Sequence, residues 1–257
     1  MRQLCGYAFT FVLACVLSAC GGSPESFSYG PDRPPVPLLT HQGELNISGS
    51  AEVNQSPGFD VHAAYAETDH IAAIASAQIS HSPNPNGLHY NQSVQLGIGY
   101  IDSLDHLWHS ETYAIVGVSS GSLQKLNETI GGRSSGSDTA HFTALRLGLQ
   151  QNIGIEGKIA AIGAGLQAGV EYMPNFFHAS TSSFGMSLLP QPNGDVQVST
   201  INTHPFSSLY LEPIFLARLG YKSVKLLLEV WFELRSNTSE NSILGTGNSS
   251  VGLSVDF

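Results

Sequence analysis

The sequence predicts an all-β protein: an antiparallel transmembrane β-barrel of about ten strands behind a lipoprotein leader and a Pro-rich tether. Three observations carry that expectation. Apolar and polar residues alternate with period two in runs that reach the 9 to 11 residues needed to cross a bilayer obliquely. Charged residues make up only 12% of the chain, against about 25% in soluble proteins. The last residues alternate up to a terminal aromatic, Phe257, which is how outer-membrane barrels usually finish.

The leader comes first. Arg2 gives it a positive start, and residues 7–17 are apolar but too short to span a bilayer. Leu17-Ser18-Ala19-Cys20 then reads as a lipoprotein processing site, so residues 1–19 are a signal peptide and Cys20 is acylated. Cys5 and Cys15 leave with the leader, and the mature chain has no thiol for a disulfide or a thiolate metal site. Residues 20–42 form a lipidated tether carrying Pro24, Pro31, Pro34, Pro35 and Pro37, from which no core is expected. Residues 43–257 are the barrel. The formal net charge of −10 argues against a nucleic-acid partner.

Ten strands follow in order, at 43–51, 59–66, 70–80, 90–100, 107–118, 141–151, 158–172, 209–219, 224–234 and 249–257. On the fourth, Val94, Leu96, Ile98 and Tyr100 oppose Asn91, Ser93, Gln95, Gly97 and Gly99. On the ninth, Val224, Leu226, Leu228, Val230, Phe232 and Leu234 oppose Lys225, Glu229, Trp231 and Glu233. The fifth has no cleanly polar face. Segments 185–189 and 195–201, around a turn-rich stretch at 190–194, leave twelve strands open.

After the first hairpin the connections alternate. Those at 67–69, 102–106, 152–157 and 220–223 are short; those at 81–89, 119–140, 173–208 and 235–248 are long. Outer-membrane barrels have short periplasmic turns and longer outer loops, so both termini are expected in the periplasm. There the barrel assembly machinery would read the last strand. A tethered soluble barrel or sandwich would alternate too, but its strands average only about 5 to 6 residues.

Three stretches extend this reading. Pro37-Leu38-Leu39-Thr40-His41-Gln42-Gly43-Glu44 leads into strand one, and Ala64-Tyr65-Ala66-Glu67-Thr68-Asp69-His70 forms the turn after strand two. Leu211-Glu212-Pro213 through Ala217-Arg218-Leu219-Gly220-Tyr221-Lys222 lies in the penultimate hairpin. In these the chain resembles the uncharacterised outer-membrane barrel proteins of Bacteroidota that carry lipoprotein leaders. The resemblance implies fold and address, and it carries over no catalytic or ligand residue.

Parity places Asp60, His62, Arg146, Glu171, Glu212, Arg218, Lys225, Glu229 and Glu233 inside, with Glu111 as a further candidate. Eight strands enclose a lumen just filled by side chains, and ten lies close to that case. Arg146, Arg218 and Lys225 are therefore expected to pair with the carboxylates, Arg218 with Glu212 or Glu229, and to plug the lumen. A charge-lined pore is the alternative.

Weaker patterns are set against these. His106 and His109 point to opposite faces of a strand, and His81 with His89 makes only two ligands, so no metal or cofactor is expected. His109-Ser110-Glu111, or His178 with Ser180, would be the residues of a lipid-modifying barrel enzyme, but Ser110 faces away from His109 and Glu111. The Gly-rich segment 131–137 lacks the lysine and helix of a phosphate loop. Tyr90, Tyr100, Trp108, Tyr172, Phe176, Phe177, Tyr210 and Tyr221 fit interfacial girdles in contact with outer-membrane lipid. The expectation is a non-enzymatic structural or surface-binding envelope protein, with a narrow pore as runner-up and a lipid-modifying enzyme third.

Overall fold

A computed structural model describes residues 34–52, 58–84, 87–103, 108–128, 134–157, 159–182, 197–202, 205–221, 223–237 and 242–257. The signal peptide, Cys20 and the segment 185–189 lie outside these residues. The elements are β1 (Leu45–Glu52), β2 (Gly58–Ala66), β3 (Ile71–Asn84), β4 (Gly87–Ser103), β5 (Trp108–Glu128) and β6 (Ser134–Glu156). They continue with β7 (Ala160–Ser182), β8 (Gln197–Asn202), β9 (Phe206–Tyr221), β10 (Val224–Asn237) and β11 (Ser242–Asp256). Every pairing is antiparallel, and β1 bonds to β11 from Asn46↔Asp256 to Glu52↔Ser250. The backbone of Phe257 itself exchanges hydrogen bonds with Leu45, which explains why the chain alternates to its last residue.

Neighbouring strands form a ring, β1 through β7, then β9, β10 and β11 back to β1. β8 lies in line with β9: β7 pairs with β9 from Ala160 to Met173 and with β8 from His178 to Ser182. The two are one interrupted strand, so the barrel has ten positions and the twelve-strand alternative is excluded. Residues 197–202, which the twelve-strand alternative would place in a separate membrane strand, belong to this upward extension.

The register fixes the dimensions. Paired residues can be followed around the ring from Asp256 through Asn46, Ala64, Ile74, Gly97, Ile115, Gly148, Gly169, Tyr210 and Arg235 to Leu244. One circuit thus climbs twelve residues of β11, an even number that preserves which face points inward. With strands about 4.8 Å apart and a rise of about 3.3 Å per residue, this stagger gives a tilt of about 40° and a radius of about 10 Å.

The outer face is apolar. Val94, Leu96 and Ile98 on β4, Leu145, Leu147 and Leu149 on β6, and Val224, Leu226 and Leu228 on β10 are all exposed. On β10 this face runs from Val224 to Leu234, which at that tilt covers about 25 Å, the height of the apolar band of a membrane barrel. Tyr65, Tyr100, Trp108, Tyr221 and Phe257 ring the end that carries the termini, and Tyr172 lies toward the other. Tyr210, expected in a girdle, is inside and only 3% exposed. It shares parity with Glu212 and Arg218, so the pleat sends all three to the lumen.

The segments read as long loops at 81–89, 119–140 and 235–248 are largely strand, because their hairpins continue beyond the apolar band. There both faces are wet, so pairing persists without alternation and the sequence looks like loop. β5, β6 and β7 reach 21, 23 and 23 residues, whereas β1 and β2 have 8 and 9. Among the described residues, the hairpins stand taller on one side of the ring than on the other. Two prolines mark irregularities. Pro174 lies in the bulge where Thr143↔Asn175 gives way to Leu145↔Tyr172, and Pro213 lies where the β9–β10 ladder skips from Ile214 to Leu211. A residue without an N–H is tolerated at such breaks.

A charge on the outer face tests the inside-out assignment. Leu149→Arg, near the middle of the band, should cost about 2–4 kcal/mol, and Thr143→Arg, near its upper edge, about 1 kcal/mol or less. Denaturant unfolding in lipid vesicles, with gel mobility before and after boiling, measures both.

Candidate functional site

The lumen holds the charges, and it is built in two tiers. In the tier nearer the long hairpins, Arg146 of β6 and Glu171 of β7 face each other across one strand pair. Arg146 Nε donates to Glu171 Oε1 at 2.9 Å, Nη1 to Glu212 Oε1 at 2.9 Å and Nη2 to Glu233 Oε1 at 3.3 Å. The stagger of the barrel brings these residues of four strands to one level. All four side chains are buried, and carboxylates from three strands surround one guanidinium. Tyr210 closes the other face of the cluster, its ring centroid 4.9 Å from Arg146 Cζ. Its phenol receives a hydrogen bond from Gln167 at 3.2 Å and lies over Gly148 and Gly169, where a Cβ would meet it at 2.4 and 2.7 Å. Those two glycines make room for the ring.

The tier nearer the termini is filled by backbone. Residues 34–39, expected to be tether, are buried inside the barrel; Leu38 is 0% exposed. The expectation that no core forms from them is overturned. Leu39 packs with Ile74, Tyr113 and Ile115, while Val36 and Leu38 pack with Ile214, Leu216, Leu227 and Trp231. Pro34, Pro35 and Pro37 lack N–H groups, which lowers the cost of burying this stretch. Its carbonyls find donors in the wall. Arg218 Nη2 donates to Val36 O at 2.6 Å and Nη1 to Pro37 O at 2.7 Å. Gln150 Nε2 donates to Pro35 O, and Leu39 N donates to Glu111 Oε1 at 2.6 Å. Asn152 Nδ2 donates to the other Glu111 oxygen at 2.8 Å.

Arg218 therefore serves main-chain carbonyls; the expected bonds to Glu212 or Glu229 are not the ones it makes here. Six residues separate Arg218 from Glu212 on one face of β9, about 20 Å along the strand. Lys225 also differs in partner. It pairs with Glu156 and, at 2.9 Å, with Asp256, at the mouth beside the termini. Glu229 accepts from Ser250 Oγ at 3.4 Å.

Across the lumen, Asp60 Oδ1 lies 3.0 Å from His62 Nε2, and Ser50 Oγ donates to Asp60 Oδ2 at 2.9 Å. His109 and Glu111 face inward while Ser110 faces outward and accepts from Gln151 at 2.9 Å, so no nucleophile stands beside that pair. The side chains of His89, His106, His178 and Ser180 lie outside the described residues. Among the described residues no group of three or more His, Cys, Asp or Glu is placed to hold a metal ion.

The buried segment 34–39 is what sequence reasoning missed. Its signal was weak but present: Val36, Leu38 and Leu39 are apolar residues with no reason to sit in a solvated tether. The lumen-facing Gly154, Gly163 and Gly165 are its counterpart, because they leave a recess in the wall.

No family model and no curated protein matches the chain. Among solved structures it is similar to the outer membrane protease OmpT of Escherichia coli, at 8% identity and a TM-score of 0.49, covering 84% of this chain and 94% of that one. It is also similar to the translocator domain of the autotransporter NalP of Neisseria meningitidis, at 14% identity and a TM-score of 0.42, covering 84% and 90%. LpxR of Salmonella typhimurium follows at 10% identity and a TM-score of 0.31, covering 84% and 99%. The closed ring, its stagger and its apolar exterior make the fold an outer-membrane-type β-barrel.

Removing the central cation should be costly. Arg146→Ala leaves Glu171, Glu212 and Glu233 without their shared guanidinium and is expected to destabilise the barrel by about 3–5 kcal/mol in denaturant unfolding. Arg146→Met with all three carboxylates changed to Gln should recover much of that loss.

Proposed function

We propose that the chain is a lipid-anchored outer-membrane barrel with a sealed lumen. It acts through the hairpins that rise beyond the apolar band, as a structural or surface-binding protein rather than an enzyme. One observation carries the reading: the lumen is occupied at two levels along its length, by the Arg146 cluster and by residues 34–39. Both lie within a ring whose backbone radius is about 10 Å, which favours a filled lumen over an aqueous path. The tall β5, β6 and β7 supply a large paired surface for recognition.

The orientation follows from the same asymmetry. The connections at the end carrying the termini are short, so that end is assigned to the periplasm, with Cys20 anchored there and the strand ending in Phe257 offered to the assembly machinery. Acidic residues outnumber basic ones in the lumen, which favours cations if a pore exists, and this is the second reading.

Conductance across a planar lipid bilayer separates the two. The native chain should give no steady single-channel steps. Reproducible cation-selective steps from the native chain would replace the sealed barrel with a pore.

A further inference from the structure

We propose that the end of the lumen nearer the termini is a peptide-binding site, filled here in cis by residues 34–39, and that this segment exchanges with a peptide supplied in trans. The ligand class is a short, uncharged, Pro-containing segment with two aliphatic side chains two residues apart.

The recess reads main chain. Arg218 donates to the consecutive carbonyls of Val36 and Pro37, Gln150 donates to the carbonyl of Pro35, and Glu111 accepts from the N–H of Leu39. All four of these bonds go to main-chain atoms of the segment, so a chain of matching backbone course satisfies them. Side-chain selection comes from the floor. A Cβ on Gly154 would meet Leu38 at 2.6 Å, and one on Gly163 or Gly165 would meet Val36 at 3.2 or 3.1 Å. The floor admits an aliphatic group at each of two alternate positions.

The occupant is also built to leave. It lies outside the strand ladder and enters β1 through the turn where Gly43 has φ +82°. Leu38 is fully buried, and its φ of 58° is a conformation that a bulky residue adopts only when its surroundings force it. When the segment withdraws, Arg218, Glu111, Gln150 and Asn152 are left facing a mouth that water can enter, so the vacated recess stays polar.

Two measurements on the full chain in detergent test this. In the first, Val36→Asp with Leu38→Asp expels the cis segment, and a fluorescent peptide with the sequence of residues 31–42 is titrated in. Saturable binding is expected, lost with a peptide carrying the same two Asp changes and lost again when Gly154→Val fills the floor. A folded variant that binds no peptide, or binds it equally with Gly154→Val, overturns the proposal.

The second needs no disruptive change. Val36→Cys in an otherwise native chain is alkylated by a water-soluble reagent, with its modification mapped by mass separately from Cys20. Excess native peptide should raise that rate about tenfold and the Asp-substituted peptide should not. An unchanged rate means the segment does not exchange, and the proposal fails. Because both readouts are made without a voltage or an ion gradient, they stand or fall apart from the sealed-lumen reading, which conductance decides.

Discussion

Closure of the backbone ladder between β1 and β11 is the constraint on which the rest depends. In hydrocarbon no water replaces a missing partner, so each N–H and C=O of a spanning strand must be paired within the protein. An open sheet fails that requirement at two edges, and a ring has none. Asn46↔Asp256 through Glu52↔Ser250 complete the ring. Once it is closed, the pleat decides everything about side chains, because successive residues have only inside and outside to choose from. The apolar exterior and the charged interior are the same fact seen from two faces.

That interior is small, and its contents follow from the closure. A charge inside a ring about 10 Å in radius cannot be solvated fully and must find an opposite charge or a dipole. Arg146 finds three carboxylates on neighbouring strands, and Arg218 finds carbonyl oxygens of residues 36 and 37. The second solution shapes the whole end of the barrel. It recruits chain that precedes the first strand into the core, with the prolines reducing the number of N–H groups that must be accommodated.

How much of this was legible in the sequence depends on whether parity or register was needed. Parity alone places Arg146, Glu171, Glu212, Arg218, Lys225, Glu229 and Glu233 inside, and all seven are there. It was misapplied only to Tyr210, whose even position beside Glu212 already argued for the lumen. Partner choice requires the stagger, which is a property of the closed ring and of no single strand. The pairing of Arg218 with the 34–39 backbone was therefore hidden, as was Lys225 with Asp256. The extended hairpins were hidden for a different reason. Above the apolar band no face needs to be greasy, and Ser-Gly-rich stretches such as those in β5 and β6 pair without announcing it.

The unequal strand lengths have a consequence for the lipid. At a tilt of about 40° the 8 and 9 residues of β1 and β2 rise only about 20 Å, less than the apolar stretch on β10. Acyl chains packed against that side must shorten or splay, while those beside β6 and β7 need not. A lopsided collar of this kind favours leaning over standing upright, and the molecule would carry its own preferred pitch into whatever membrane surrounds it.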